Sequence, residues 1–468
     1  MRNSTHSPSG LVAAALFAVL SASPAGAQSG PLSLADAMRE ADQHAFGNRI
    51  AAATTTGDRA RARLPLKGIL PSARVEAGVI RTTDPIGAFG TTLRQRLVTP
   101  AAFAPATLNY PSAVTNAQGG LVLDVPLMNG DAWLGLRAAR AAADASTAAS
   151  EWSAVSTRAD VVRAYYGAIL AEAKAGVLAQ AQLAADAGVR QVRAMVAQGL
   201  VTKADALQAS VRASDVAAQL LSARSDALTA RQQLALLLGR TGAEPPTLPA
   251  ALPDDAAVIA LAAHDSAAAG ATATSAEPRD DVRAAQAGVT AAGADRRRAA
   301  STLLPRVNGF ARYDWNDPRT LYAGQKNWTV GVMASWSLFG GNAELADVAA
   351  TTARANAARA GLDAARAQSQ LERDDAARRL TLSLQRLTLA RDGADQSREA
   401  HRLVQKRYDG GLATIAELLA AESAATGASL GHAAARYAVI DAIATWRRAS
   451  GGDPAALTAL DSSTMTAR

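Results

Sequence analysis

The chain repeats itself, and that duplication restricts its fold more than any other feature. Gly199-Leu200-Val201-Thr202, with Asp205 and Leu207 following, returns 212 residues later as Gly411-Leu412-Ala413-Thr414, with Glu417 and Leu419 following. Pro126-Leu127-Met128-Asn129-Gly130 returns 211 residues later as Ser337-Leu338-Phe339-Gly340-Gly341. Leu70-Pro71 returns as Leu304-Pro305, 234 residues on. The longer third offset places an insertion of about 23 residues between the first two strands of the first half. It runs from about Asp84 to Asn116 and holds Pro85, Pro100, Pro105 and Pro111, which predicts a loop.

Each half predicts the same order: a lead-in helix, two strands, a very long helix, a break at glycine, and a second long helix. The first repeat covers 28–240, with a lead-in helix near 33–70, strands near 72–83 and 116–128, and a helical hairpin over 131–240. The second covers 278–452, with a lead-in helix near 278–303, strands near 305–315 and 328–339, and a hairpin over 341–450. Between them, 241–277 carries Pro245, Pro246, Pro249 and Pro253 and an Ala/Ser/Thr-rich stretch; it reads as a linker with room for one short helix. Residues 453–468 form a tail.

The strands show period two. Val75, Ala77 and Val79 alternate with Arg74, Glu76 and Gly78, and Leu121, Leu123, Val125 and Leu127 alternate with Asp124 and Pro126. In the second half Val307, Gly309, Ala311, Tyr313 and Trp315 alternate with Arg306, Asn308, Arg312 and Asp314. Trp328, Val330, Val332, Ala334, Trp336 and Leu338 alternate with Thr329, Gly331, Ser335 and Ser337. Alternation alone fits either a soluble sheet with one wet face or the wall of a transmembrane barrel, where Trp315, Trp328 and Trp336 would suit the aromatic girdles. The helices favour the barrel. No proline interrupts Gly341 to Tyr408, a rod on the order of 100 Å at ~1.5 Å per residue. Leu380, Leu384 and Leu387 follow helical spacing, as do Val161, Tyr165 and Ile169, and Val189, Val192 and Val196. Such narrow stripes, with alanine between them, must pack as coiled coils against neighbours. An aromatic content of 4% suits long helices better than a compact enzyme core.

Export is legible at the N-terminus. Arg2, the apolar run Leu11 to Leu20 and the small residues Ala25-Gly26-Ala27 predict a signal peptide, residues 1–27, cut after Ala27. No other stretch is apolar and long enough to span a bilayer as a helix, so membrane insertion would need a closed β-barrel. The chain has no cysteine, which excludes disulfides, thiolate metal sites and an N-terminal lipidated cysteine. Its net charge of +7 comes from 48 basic and 41 acidic residues interspersed along helical stretches, which reads as solvated helix faces and not as a nucleic-acid patch. The five histidines show no paired metal spacing, and phosphate-loop, dinucleotide and serine-elbow motifs do not occur. Asp374-Asp375 reads as a solvated helix pair. No enzyme, cofactor or metal is expected.

The pattern resembles the TolC-like outer-membrane efflux family over nearly all of the mature chain. Leu34-Ala35-Asp36-Ala37 looks like the family's opening helix, Pro126 to Gly130 and Leu338 to Gly341 like its strand-to-helix turns, and the Gly199 and Gly411 segments like its two hairpin tips. The resemblance implies an α+β membrane protein made mainly of long helical hairpins. It implies a homotrimer in the outer membrane, each subunit giving four strands to a 12-stranded barrel and its helices to a periplasmic tunnel. Four strands are too few to close a barrel, so oligomerisation follows physically as well. The tunnel would dock onto a periplasmic adaptor and, through it, an inner-membrane pump that supplies the energy. The tip residues Gly199, Leu200, Val201, Thr202, Gly411, Leu412, Ala413 and Thr414 would meet the adaptor. Asp205, Tyr408 and Glu417 match the periplasmic constriction, where three copies of an acid form a cation-favouring ring. The same acids also suit the starts of the hairpins' second helices, where negative charge favours the dipole. The family's gate arginine is replaced by Ala413, with Arg407 or Arg402 as substitutes. Residues 264–277 predict a loose equatorial girdle. The competing reading is a periplasmic coiled-coil adaptor or structural protein, which would carry one hairpin flanked by small β domains.

Overall fold

The computed structural model describes residues 30–242, 244–271, 279–321 and 323–460, with side chains omitted for 268–271. The expected signal peptide and the end of the tail lie outside the described residues. Two lead-in helices, α1 (Leu34–His44) and α2 (Phe46–Arg61), are split at Ala45, and a 3-10 turn at Leu64–Gly68 leads into β1 (Ser72–Thr82). The insertion follows, then β2 (Val114–Met128), α5 (Gly130–Ala197) and α6 (Lys203–Leu237). Within the insertion lie α3 (Pro85–Arg94), a 3-10 turn (Pro100–Phe103) and α4 (Pro105–Asn109). It is therefore not the plain loop its prolines predict. Pro85 and Pro105 each sit in a first helical turn, where a missing N–H costs nothing. The second half runs α7 (Asp255–Ala271), α8 (Asp280–Ser301), β3 (Arg306–Asp317), β4 (Gln325–Ser335), α9 (Ala343–Asp409) and α10 (Ile415–Ser450).

The four strands form one antiparallel sheet in the order β1-β2-β3-β4. Its register puts Val75, Leu121, Tyr313 and Trp328 in one row and Glu76, Gly120, Asp314 and Asn327 in the next. One face is thus apolar and the other polar, because both halves keep the same parity. The apolar face is uncovered: Val75 is 76% exposed, Trp328 74% and Val330 67%. On the polar face Arg74 pairs with Asp124 at 2.6 Å, and Arg312 with Glu76 at 3.8 Å. β4 ends at Ser335 and not near 339, because the chain turns through Gly341 (φ 64°) and Asn342 (φ 65°) into α9. The sheet is tied to the helices at its lower end. Asn129 Nδ2 donates to Gly68 O at 3.3 Å and to Asn308 Oδ1 at 3.2 Å, and Arg306 pairs with Asp131 at 2.6 Å.

Below the sheet, α5 and α9 are unbroken rods of 68 and 67 residues. Each is about 100 Å long at ~1.5 Å per residue. Shorter helices pack beside the rods: α2 and α6 against α5, α10 against α9, and α8 against both, chiefly α5. The rods bury most of their bulky side chains at two levels, with Leu136, Leu178 and Leu362 buried outside these two clusters. At the equator Val161, Tyr165, Tyr166 and Ile169 of α5 pack with Leu380 and Leu387 of α9 and Ile440, Ile443 and Trp446 of α10. Near the hairpin ends a smaller cluster joins Val189, Val192 and Ala209 to Tyr408, Ile415 and Leu418. None of the described helices is long and apolar enough to cross a membrane.

As far as Ala271 the equatorial segment is tighter than its composition predicts; 272–277 of the expected loose stretch lie outside the described residues. α7 is a regular helix as far as Ala271, with Val258 and Ala262 fully buried. Asp255 accepts from Arg436 Nε at 2.5 Å and lies 2.7 Å from His432 Nε2, and Asp265 pairs with Arg447 at 2.7 Å. These three α10 partners hold α7 in place, which local Ala/Ser/Thr content does not reveal. Beside them the buried Arg279 reaches Asp281 (2.5 Å), Glu372 (2.9 Å) and Ala449 O (3.5 Å), and its guanidinium stacks on Trp152 at 4.5 Å.

Candidate functional site

The hairpin ends are two copies of one construction. α5 ends when Gly199 adopts φ 75°; its N–H donates to Val196 O at 3.0 Å, and Leu200 N–H reaches back to Met195 O at 2.9 Å. α9 ends the same way: Gly411 has φ 71°, its N–H donates to Tyr408 O at 2.9 Å, and Leu412 N–H reaches Arg407 O at 2.7 Å. This left-handed ending needs glycine, because a Cβ would strain the turn. Two residues past each leucine pair's start the chain re-enters a helix through a threonine. Thr202 Oγ1 accepts from Asp205 N at 3.3 Å while Asp205 Oδ2 accepts from Thr202 N at 2.8 Å. Thr414 Oγ1 accepts from Glu417 N at 3.2 Å while Glu417 Oε2 accepts from Thr414 N at 2.8 Å. Both are reciprocal capping boxes.

The structure therefore places Asp205 and Glu417 at the helix starts, each bound to its own cap. Tyr408 is buried between the hairpins, with its hydroxyl 3.9 Å from Met195 Sδ. Burial, then the negative charges of Asp205 and Asp409, push its phenol above the ordinary range. The charge of Asp205 on one hairpin thus acts on Tyr408 of the other, and Glu417 is not among the groups that shift it. Arg407 is used locally, donating from Nη2 to Leu412 O at 3.1 Å. Arg402 forms a two-pronged pair with Glu399 on its own helix, at 2.7 and 2.6 Å. Neither arginine reaches Asp205 or Glu417. Of the tip residues, Leu200 (65%) and Leu412 (74%) present bare side chains, Thr202 and Thr414 are exposed caps, and Val201 and Ala413 turn toward the cluster.

Sequence reasoning named the tip segments but missed Met195 and the capping role of the threonines. The Thr-x-x-Asp and Thr-x-x-Glu spacing is the signal that finds the latter. It also missed Gln95, Asn116 and Asn316, whose contacts span 21 residues of chain in one case and 200 in the other and leave no local signature.

Comparison with known proteins gives the same architecture. Among solved structures, a membrane protein from Pseudomonas aeruginosa superposes with a TM-score of 0.73 at 20% identity, covering 89% of this chain and 92% of that one. The outer membrane protein VceC from Vibrio cholerae gives 0.72 at 19% identity, covering 90% and 96%. The Campylobacter jejuni CmeC outer membrane channel gives 0.75 at 15% identity, covering 93% and 90%. At these identities the likeness is one of fold. Comparison with curated protein sequences gives no match. The family model for outer membrane efflux proteins matches residues 87–240 and 273–452, both hairpins and most of the sheet. That duplicated match excludes the competing single-hairpin adaptor. The chain belongs to the outer membrane efflux protein family.

Proposed function

We propose that three copies of this chain form an exit duct through the outer membrane, a passive channel fed by a periplasmic adaptor and an inner-membrane pump. One observation carries the reading: a sheet with a bare apolar face, a charged opposite face and two unpaired edges stands on rods of 68 and 67 residues. β1 and β4 each leave a row of backbone groups unpaired, which lipid does not tolerate. Pairing β4 of one subunit with β1 of the next, three times over, removes every edge and gives 12 strands. From Trp328 to Ser335, the residue before Trp336, β4 runs about 24 Å at ~3.4 Å per residue. That matches the ~25 Å apolar band between aromatic girdles. Exposed Leu371, Leu382, Leu389 and Leu403 on α9 fit contact with neighbouring subunits in the tunnel.

In this reading the tips form the periplasmic mouth. Leu200 and Leu412 are the apolar handles for the adaptor, with Gly199, Val201, Thr202, Gly411, Ala413 and Thr414 shaping the turns. Asp205, Tyr408 and Glu417 line or support the aperture, with Arg407 and Arg402 nearby. The duct carries out no bond chemistry; the cargo is set by the pump.

The test is extraction and conductance. Membranes washed with high salt and then alkali should retain the protein, detergent should release a trimer, and the trimer should conduct in planar bilayers. A monomer released by alkali without detergent would refute the duct.

A further inference from the structure

The insertion between β1 and β2 does not stand free above the sheet. It folds back onto the polar face. Gln95, at the end of α3, donates from Nε2 to Thr115 O at 2.9 Å and to Asn116 Oδ1 at 2.9 Å. Asn116 Nδ2 donates to Asn316 Oδ1 at 2.7 Å, and Asn316 Nδ2 donates to Asp314 Oδ2 at 3.0 Å. Gln95, Asn116 and Asn316 are 5%, 3% and 2% exposed. A buried relay of amides is stable only when each member is satisfied, so these bonds define one docked position for the insertion. The insertion also has an apolar centre of its own, where Phe89 and Phe103 meet edge to face at 5.6 Å. Its helices are therefore packed to one another as well as to the wall.

Strand parity decides which side it occupies. Asn116, Asp314 and Asn316 share a face with Arg74, Glu76 and Arg312, opposite to Val75, Leu123, Trp328 and Val330. Arg94 of α3 overhangs a concavity of about 560 Å³ on that polar face, beside Glu76, Arg312 and Thr329. We infer that the insertion is an inward-folded collar, latched to the wall by Gln95, which forms a second constriction at the outer mouth and sets the size of solute that passes it. The inference rests on the proposed trimeric barrel, in which the polar face is the lumen and three collars converge.

The chain has no cysteine, so Thr329→Cys supplies the only thiol in the full-length trimer, on the polar wall beneath the collar. A small charged methanethiosulfonate added from outside should label it readily, and a bulky polyethylene-glycol maleimide slowly. Adding Gln95→Ala should speed the bulky reagent about tenfold, the scale set by losing one buried amide partner. Replacing residues 86–112 by a short Gly-Ser linker should speed it further. Trimer recovery in detergent checks assembly of each variant, and Gln95→Ala decides alone if the linker variant does not assemble. Equal bulky-reagent rates with and without the latch overturn the collar. Val330→Cys, on the opposite face, separates the two levels of the argument. If the small charged reagent labels Val330→Cys and spares Thr329→Cys, the barrel orientation fails and the collar with it. If the small reagent instead labels Thr329→Cys and spares Val330→Cys, as expected, while the bulky reagent ignores the latch, the collar alone fails.

Discussion

Whether the tip acids act through charge or through capping can be separated by three substitutions at one turn. Glu417 closes its box with Oε2 at 2.8 Å from Thr414 N, and Thr414 Oγ1 receives Glu417 N at 3.2 Å. Thr414→Val removes the cap and keeps the acid. Glu417→Gln removes the charge and keeps an acceptor for Thr414 N. Glu417→Ala removes both. Losing an N-cap bond costs about 1 kcal/mol. If three tips move together, that is about 3 kcal/mol, roughly a 150-fold shift in the open-to-closed ratio. The capping geometry predicts that Thr414→Val and Glu417→Ala raise open probability in planar bilayers, while Glu417→Gln changes it little. Adding Tyr408→Phe to Glu417→Ala should raise conductance further, because it removes the hydroxyl that reaches Met195 on the other hairpin. A Glu417→Gln channel that opens as widely as Glu417→Ala, beside a silent Thr414→Val, would refute the argument and restore the charge ring.

Three further outcomes are expected. Arg279→Met strips the partner from two carboxylates and should cost about 3–5 kcal/mol, read as a lower thermal midpoint of the detergent trimer; an unaltered midpoint would show the fork to be idle. Burial opposes ionisation of Glu372, but hydrogen bonds from Gln368 and Arg279 and the arginine's charge outweigh it and hold its carboxyl below the ordinary range. Its stabilisation is present above the unfolded carboxylate pKa and lost as pH falls through the lower folded value, so Glu372→Gln should flatten the acid limb of a stability-against-pH curve; an acid limb of unchanged slope would contradict this. Val330→Arg on the apolar face should cost about 2–4 kcal/mol in membrane assembly and Thr329→Arg next to it far less, as judged by trimer yield; equal yields would undo the assignment of the two faces.

Much of this fold was legible in the sequence because its signals are local and repeated. Period-two alternation in 72–83 or 305–315 reports a face without reference to any distant residue, and an uninterrupted stretch such as Gly341 to Tyr408 reports a rod. Gly199 and Gly411 announced their turns through duplication. The less legible parts are those built by distant pairs. Asp255 meets His432 and Arg436 across about 180 residues, so the firmness of α7 is invisible in its own alanines and serines. The prolines of 84–116 predicted a loop because a proline that starts a helix and one that breaks it look alike until the helix is seen. At the tips, Asp205 and Glu417 fit a pore ring and a helix start equally well in sequence, and only the hydrogen bonds show what each acid holds.

The hairpin ends are closed by bonds that never leave their own turn. Gly199 and Leu200 donate back to Val196 and Met195 while Thr202 and Asp205 hold each other, and Gly411 and Leu412 donate back to Tyr408 and Arg407 while Thr414 and Glu417 hold each other. A hairpin swung at its free end would therefore keep its bend, like a stiff reed bound at both its base and its tip. What would resist such a swing is the patch of side chains between neighbouring reeds, and Ile415 and Leu418 of that patch sit in the first turn that Thr414 and Glu417 hold, so loosening the cap loosens the patch; a docking protein that gripped the two bare leucines would have leverage over the same turn.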